Sequence, residues 1–236
     1  MAFRQALLNP FRKPGMDWIA FALSLRLAAV TTLTLCLIGI PLAGWVAYSH
    51  SRLRPALEAV IALPLVLPPT VLGFFLLVGL GRTGWLGQWY GRLTGGGSLV
   101  FSFEGLWVAS VLYSLPFLVQ PVAASMAGIP RRLREAAWVL GAGRTETFVR
   151  IVLPLAWPGI ASGIVLSFAH TLGEFGVVLM VGGDIPGVTR TLSISVYDAV
   201  ESLDYGVATK TAVFLFLLSF LLLSAAYWFQ KRLPVR

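Results

Sequence analysis

Long runs of apolar residues separated by short polar segments set the pattern of this 236-residue chain. A helix needs about 20 residues to cross the hydrocarbon core of a bilayer. Five runs meet that length: Ile19–Ala47, Leu57–Leu80, Leu106–Ala127, Leu155–Val181 and Val207–Phe229. They are too long and too uniformly apolar for the alternating strands of a membrane barrel. The pattern therefore predicts an all-α polytopic membrane protein, with one transmembrane domain over residues 1–236. Arg4, Arg12 and Lys13 precede the first run, as in a signal peptide. The run is much longer than the roughly 7–15 apolar residues of such a peptide, and no clear cleavage site follows. It reads as a retained span. Residues 1–15, with Phe3, Leu7, Leu8 and Phe11 among basic residues, read as a short interfacial arm.

Composition agrees with this pattern. Apolar residues make up 57% of the chain, charged residues 12%, and the mean hydropathy is +0.82. A soluble domain carries about 25% charged side chains, so a soluble enzyme, a disordered chain and a disulfide scaffold are excluded. The net charge of +8 does not call for nucleic acid; loop Lys and Arg that orient a membrane protein explain it. The single cysteine, Cys36, lies inside an apolar run and reads as a small core residue.

Five spans place the termini on opposite sides. One side then holds Arg52, Arg54, Arg131, Arg132, Arg134, Arg144, Arg150, Lys231, Arg232 and Arg236. The other holds Arg4, Arg12, Lys13, Arg82, Arg92 and Arg190, with Lys210 at a span edge. The richer side is predicted to be cytoplasmic, with the C-terminus there and the N-terminus outside.

Prolines and glycines interrupt the spans: Pro64, Pro68 and Pro69 in the second, Pro116 and Pro121 in the third, Pro154, Pro158, Gly163, Gly173 and Gly176 at or in the fourth. Kinked, closely packed spans suit a transporter, although both residues are common in membrane helices generally. Arg26, His170 and Glu174 are ionisable groups within spans, where such groups are costly and face the protein interior. His170 and Glu174, four apart, are expected on one helix face. Two readings of Arg26 and Glu174 stay open: an ion pair tying the first span to the fourth, or separate roles, with Arg26 snorkelling outward and Glu174 capping backbone donors near Gly173 and Gly176. No catalytic constellation and no phosphate-binding loop occurs, so any nucleotide must be bound by another chain.

The loop over residues 128–154 carries the most information. Pro130 suits the first turn of a helix. Leu133, Ala136, Ala137 and Leu140 fall at helical spacing and predict an apolar face. Gly141 and Gly143 can stop that helix, and Thr145–Val152 reads as a second short helical piece. The element could lie on lipid, or dock in a groove of a soluble partner.

Its spacing resembles a signature of the permease subunits of ABC importers. Glu-Ala-Ala, three residues, Gly, nine residues and Ile-x-Leu-Pro stand here at Glu135, Ala136, Ala137, Gly141, Ile151, Leu153 and Pro154. The stretches Leu63–Gly73, Ser167–Gly176 and Asp184–Thr191 are similar to those of tetrahedral-oxyanion permeases, most of all the molybdate permeases. The resemblance implies molybdate, or tungstate, as the cargo; sulfate and thiosulfate permeases share part of the pattern. The resemblance runs over roughly residues 17–230 and implies a type I ABC importer permease fold in the cytoplasmic (inner) membrane. The chain would be no enzyme itself. It implies a homodimer, two ATP-binding cassette subunits that bind ATP and Mg, and an extracytoplasmic molybdate-binding protein, with no cofactor in this chain and no nucleic-acid partner. Residues 128–154, with Leu140 beside the motif positions, would be the coupling helix seated on the ATPase. Arg26, Pro68, Pro69, His170 and Glu174 are the candidates for the translocation path or its structural support. Thr191–Glu201 would face the binding protein or simply connect spans. An ion-gradient-driven secondary transporter is the rival of another class; it predicts an internal repeat and a buried charge network, neither of which the sequence offers.

Overall fold

Asp17 opens the first span: its carboxylate accepts the backbone N–H groups of Ile19 and Ala20 at 3.0 Å each, a cap worth about 1 kcal/mol. In this computed structural model, which describes residues 15–232, helix α1 then runs from Trp18 to Tyr48. The expected arm, with Arg4, Arg12 and Lys13, lies outside the described residues. The further helices are α2 (Arg54–Val66), α3 (Pro69–Leu80), α4 (Trp85–Thr94), α5 (Phe103–Ala127), α6 (Arg131–Val139), α7 (Arg144–Leu155), α8 (Trp157–Gly173), α9 (Gly176–Gly182), α10 (Leu192–Glu201) and α11 (Tyr205–Arg232). Among the described residues there is no strand.

α1 and α5 run parallel. Leu27 packs with Leu106 at one end. A β-carbon on Gly39 would meet Leu118 midway, and one on Gly44 would meet Met126. Near the other end Tyr48 donates to the Met126 carbonyl at 2.8 Å. Two parallel spans force residues 49–102 to cross back between them. α8 returns antiparallel to α5: Gly159 lies against Pro121 and Ser125, Gly163 against Leu118, and Thr171 against Ser114. No side chain fits at Gly159, where a β-carbon would lie 2.7 Å from the Pro121 carbonyl oxygen. This spacing of small residues is what brings membrane helices into close contact. At the starting end of α11, Phe214 meets Trp18 and Phe21 edge-on. Trp18 therefore marks one end of the bundle, and α11 runs from it toward the end where α1 finishes.

Two expected spans are broken. The run Leu57–Leu80 is not one straight helix: α2 and α3 meet at a bend of 113°. The cause is the proline doublet. Pro69 denies Pro68 the helical region, and Pro68 does the same to Leu67; both adopt extended backbone. Pro69 then starts α3 at a position that suits proline. Single prolines do less: Pro41 lies within α1, and Pro116 and Pro121 within α5, without ending either helix. The run Leu155–Val181 is broken twice. A 73° bend separates α7 from α8, and Glu174 takes an extended conformation between α8 and α9. His170 and Glu174 therefore do not share a helix face, as their spacing had suggested. Among the described residues, three helices are long and apolar enough to cross a membrane, or up to five spans if each bent pair counts as one.

α3 and α9 lie side by side and point the same way. A β-carbon on Gly176 would lie 2.6 Å from Cβ of Pro69, and one on Gly73 would lie 2.8 Å from Cβ of Met180. The two breaks thus face each other at mid-bundle. The half-helices end together in a cluster of Leu80, Val181, Leu99 and Val100, pinned by a hydrogen bond from Phe101 N–H to the Val181 carbonyl.

Candidate functional site

The helical hairpin at the basic end is built as its residues dictate. α6 has no side-chain cap, and Pro130 precedes it. Glu135 reaches back one turn to Arg131, an ion pair of 2.7 Å on the surface worth only a few tenths of a kcal/mol. Ala137 is the buried contact of the helix. Gly141 takes φ +89°, with nothing within 4 Å of where a β-carbon would stand. Glycine is there for its backbone freedom, not for space. Its N–H and that of Ala142 return to the carbonyls of Trp138 and Ala137.

The expected apolar face is divided. Ala137 turns inward, whereas Leu133 and Ala136 stay exposed and Val139 and Leu140 are 86% and 87% exposed. Leu140 is no part of a face packed on the described residues; with Val139 it forms an exposed apolar tip. The sequence reading missed Val139, which breaks the helical spacing but reaches the surface where the helix ends.

α7 ties this tip to the spans. Residues Phe148–Val152 form a π-helical turn, and the Leu153 N–H reaches five residues back to Phe148. Pro154 has no N–H to continue the ordinary ladder, which accounts for the irregularity. Ile151 and Leu153 are half-buried and Pro154 is exposed. The main anchors are Val152, which is fully buried, and Phe148, which packs on the same core formed with α1, α2 and α5; Leu153 adds a partly buried contact there. The motif positions Gly141, Ile151, Leu153 and Pro154 thus shape the connection, while its grip on the bundle comes from Phe148 and Val152.

The mid-membrane candidates separate into two groups. Pro68 and Pro69 are exposed at the α2–α3 break. Glu174 is buried at the α8–α9 break. Its carboxylate accepts the Val177 N–H at 2.7 Å, and its carbonyl accepts from the Ser193 hydroxyl. Arg26 lies elsewhere, its guanidinium 4.3 Å from the centre of the Phe103 ring. Among the described residues no ion pair joins Arg26 to Glu174 within the chain; the capping role is the one the geometry supports. His170 stacks on Phe117 with ring centres 3.9 Å apart, and its Nδ1 lies 2.9 Å from the Ser114 hydroxyl. It is a satisfied interior histidine. Among the described residues, no group of three His, Cys, Asp or Glu side chains could hold a metal ion.

At the end away from the basic loops, Arg190 holds the segment after α9. Its Nη2 donates to Asp184 at 2.8 Å and Nε donates to the other carboxylate oxygen. Partial burial works against its charge, but the bonds and nearby charges of Asp184 and Asp198 leave its pKa above the ordinary value. Thr191 then caps α10. The segment Thr191–Glu201 is a helix, not a plain connecting loop.

Comparison with known proteins gives a consistent result. The family model described as binding-protein-dependent transport system inner membrane component matches residues 39–235. A molybdenum transport system permease protein of Azotobacter vinelandii is 51% identical over 211 residues, covering 89% of this chain and 93% of that one. Its counterpart in Escherichia coli K12 is 37% identical over 79% of this chain and 81% of its own. A probable sulfate transport permease protein of Chlorella vulgaris is 35% identical, over 72% of this chain and 64% of its own. A bacterial ABC transporter involved in import of alginate superposes with a TM-score of 0.76, over 99% of this chain and 83% of that one. At 19% identity it speaks for the fold alone.

Proposed function

The chain belongs to the family of inner-membrane components of binding-protein-dependent transport systems, the permease subunits of ABC transporters, and from that membership we propose that it is the membrane subunit of an ATP-driven molybdate importer. The observation that carries the substrate is the 51% identity, across nearly its whole length, to a molybdenum transport permease. The relatedness to a probable sulfate permease is weaker in identity and coverage, so sulfate is the second reading. An ion-gradient-driven transporter leaves the Glu135–Pro154 loop without a purpose.

Two copies of the chain form the pathway between them. The basic end is cytoplasmic, by the weight of Arg52, Arg54, Arg131, Arg132, Arg134, Arg144 and Arg150. Val139 and Leu140 seat the hairpin in a cleft of a separate ATPase subunit, which binds ATP and Mg. ATP can shift the permease between inward- and outward-facing states only through contacts that differ between them; the hairpin transmits that difference. The paired breaks at Pro68–Pro69 and Glu174–Gly176 lie where the half-helices can move against each other. An ionised carboxylate about 5 Å from a doubly charged oxyanion would repel it by roughly 6–7 kcal/mol at an effective dielectric near 20. The hydrogen bond from the Val177 N–H to the Glu174 carboxylate supports a reading in which this group is turned away from the path.

The test is reconstitution of the permease with its ATPase and binding protein in liposomes. ATP-dependent uptake of molybdate that excess sulfate does not displace is the expected result. Uptake that sulfate abolishes would move the assignment to the second reading, and uptake without ATP would remove it from this class.

A further inference from the structure

Behind α6 lies a cavity whose basic side chains have no part in the transport cycle proposed for the hairpin. It has a volume of about 570 Å³ and is walled by Tyr48 at the end of α1 and His50 beyond it, by Arg131, Arg134 and Trp138 of α6, and by Arg144 of α7. That size suits a small ligand. Among the described residues, three arginines and a histidine line it and no carboxylate does. The neighbouring acids are engaged on the surface: Glu135 with Arg131, and Glu146 with Arg150.

Arg134 is the central group. Its guanidinium sits 3.9 Å from the centre of the Tyr48 ring. That ring is itself fixed by the Tyr48 hydrogen bond to Met126. Arg134 Nε is buried and, among the described residues, nothing accepts from it. A buried donor on a charged group is costly unless an acceptor reaches it. Arg131, Arg134 and Trp138 recur at helical spacing and share the cavity side of α6, whereas Val139 and Leu140 form the exposed tip. One short helix thus presents two surfaces, of which the ATPase needs only one.

We propose that this cavity binds the phosphate-bearing headgroup of an anionic phospholipid. The proposal rests on the reading above, in which this end of the bundle is cytoplasmic. Tyr48 is the last residue of α1 and Met126 the penultimate residue of α5, so the cavity lies at headgroup depth. Arginine forks match phosphate oxygens, Tyr48 and Trp138 are side chains of the interfacial belt, and basic pockets between span ends on the cytoplasmic side are suited to such headgroups. Free phosphate, or the transported oxyanion itself, has the same tetrahedral chemistry, and the experiment separates the sources.

The complete permease–ATPase complex is placed in nanodiscs of phosphatidylcholine with a minor fraction of phosphatidylglycerol, and the lipid retained after detergent extraction is quantified by native mass spectrometry. Wild type is expected to retain phosphatidylglycerol in preference to phosphatidylcholine. Arg134→Gln and Arg144→Gln are expected to lower that retention about fivefold each, with ATPase stoichiometry intact, and Arg134→Lys to restore part of it. Equal retention in wild type and variants overturns the proposal. Loss of the ATPase from both glutamine variants also overturns it, by making the cavity a protein contact. Displacement of the lipid by millimolar inorganic phosphate or molybdate assigns the cavity to a free anion, and overturns the lipid. Molybdate uptake is measured on the same wild-type complex: selective lipid retention without uptake would count against the substrate and leave the cavity standing.

Discussion

Gly44 and Phe148 are in direct contact, so that a β-carbon on Gly44 would lie 2.8 Å from Cε2 of the Phe148 ring. Phe148 begins the π-helical turn of the hairpin, and Gly44 lies one turn from the end of α1. In the proposed cycle, movement of the hairpin would reach the first span through this ring seated in a glycine notch.

Filling that notch is expected to uncouple the machine before it unfolds it. Gly44→Ala already meets two atoms of the ring, at 2.8 and 3.2 Å, so the Phe148 ring must shift to admit it. Gly44→Leu must expel the ring; overpacking of this kind typically costs 1–3 kcal/mol. The expected outcome for Gly44→Leu is retained ATPase binding with ATP hydrolysis no longer matched by molybdate uptake. The ratio of transport to hydrolysis in liposomes checks this, and an unchanged ratio would show that Phe148 transmits nothing.

Gly141 gives a sharper test of the hairpin because only its backbone is at issue. At φ +89° a side chain meets no neighbour but strains the backbone, by roughly 1–2 kcal/mol. Gly141→Asn should be the mildest substitution and Gly141→Val the worst, with Gly141→Asp adding charge beside Leu140. Glu135→Lys replaces the Arg131 ion pair with like charges one turn apart. Val is expected to lose most of the co-purified ATPase and Asn little, with the permease still inserted. Equal recovery of ATPase across the series would show that the turn geometry is irrelevant to docking.

Glu174 is expected to behave as a structural cap, not as an ion-pair partner. Glu174→Gln keeps an acceptor for the Val177 N–H and should shift thermal stability little. Glu174→Ala leaves that buried donor unsatisfied, at about 1–3 kcal/mol. Arg26→Gln should add to either change independently, since Arg26 rests on Phe103. A double-mutant cycle on the melting temperature reads this directly; a coupling above about 0.5 kcal/mol would restore the pair, across the dimer if not within the chain.

The elements legible in the sequence are those set by run length and by local backbone chemistry. α1, α5 and α11 follow from uninterrupted apolar runs, and the hairpin from Pro130, Gly141 and a helical repeat. The breaks were less legible, because similar signals act differently by context. Pro116 and Pro121 sit harmlessly in α5, while the doublet Pro68–Pro69 bends the chain by 113°. At Glu174 no proline marks the break; only Gly173 and Gly176 flank it, and glycine in a membrane helix signals close packing as readily as a break. α4 was missed altogether. Its ten residues hold Trp85, Leu86, Trp89 and Leu93 at helical spacing, but the segment is too short and too polar to register as a span. The apolar face of α6 divides for a related reason: helical periodicity groups Leu140 with Ala137, yet Leu140 lies where α6 ends and is exposed while Ala137 is buried.

The last expectation concerns α10 and the binding protein. The helix buries Leu192, Ser193, Ile194, Ser195 and Ala199 against the bundle, with Ser193 donating to the Glu174 carbonyl. Ser193 is thus a poor site for a cross-linking cysteine, although its place in the sequence recommended it. Tyr197, Val200 and Glu201 are on the open side, with Tyr197 and Val200 about 40% exposed. α10 also lies at the end of the bundle opposite the hairpin, since Leu192 N–H bonds to Ser24 near the start of α1. Cysteines at positions 197, 200 and 201 should therefore cross-link to the extracytoplasmic binding protein, and a cysteine at 193 should not. Arg190→Gln, which releases Asp184 from its two hydrogen bonds, should loosen the segment leading into α10 and lower the cross-linking yield several-fold without changing ATPase recovery. Cross-links from position 193 alone, or from none of the exposed positions, would remove α10 from the docking surface and leave it a packing element of the outer bundle.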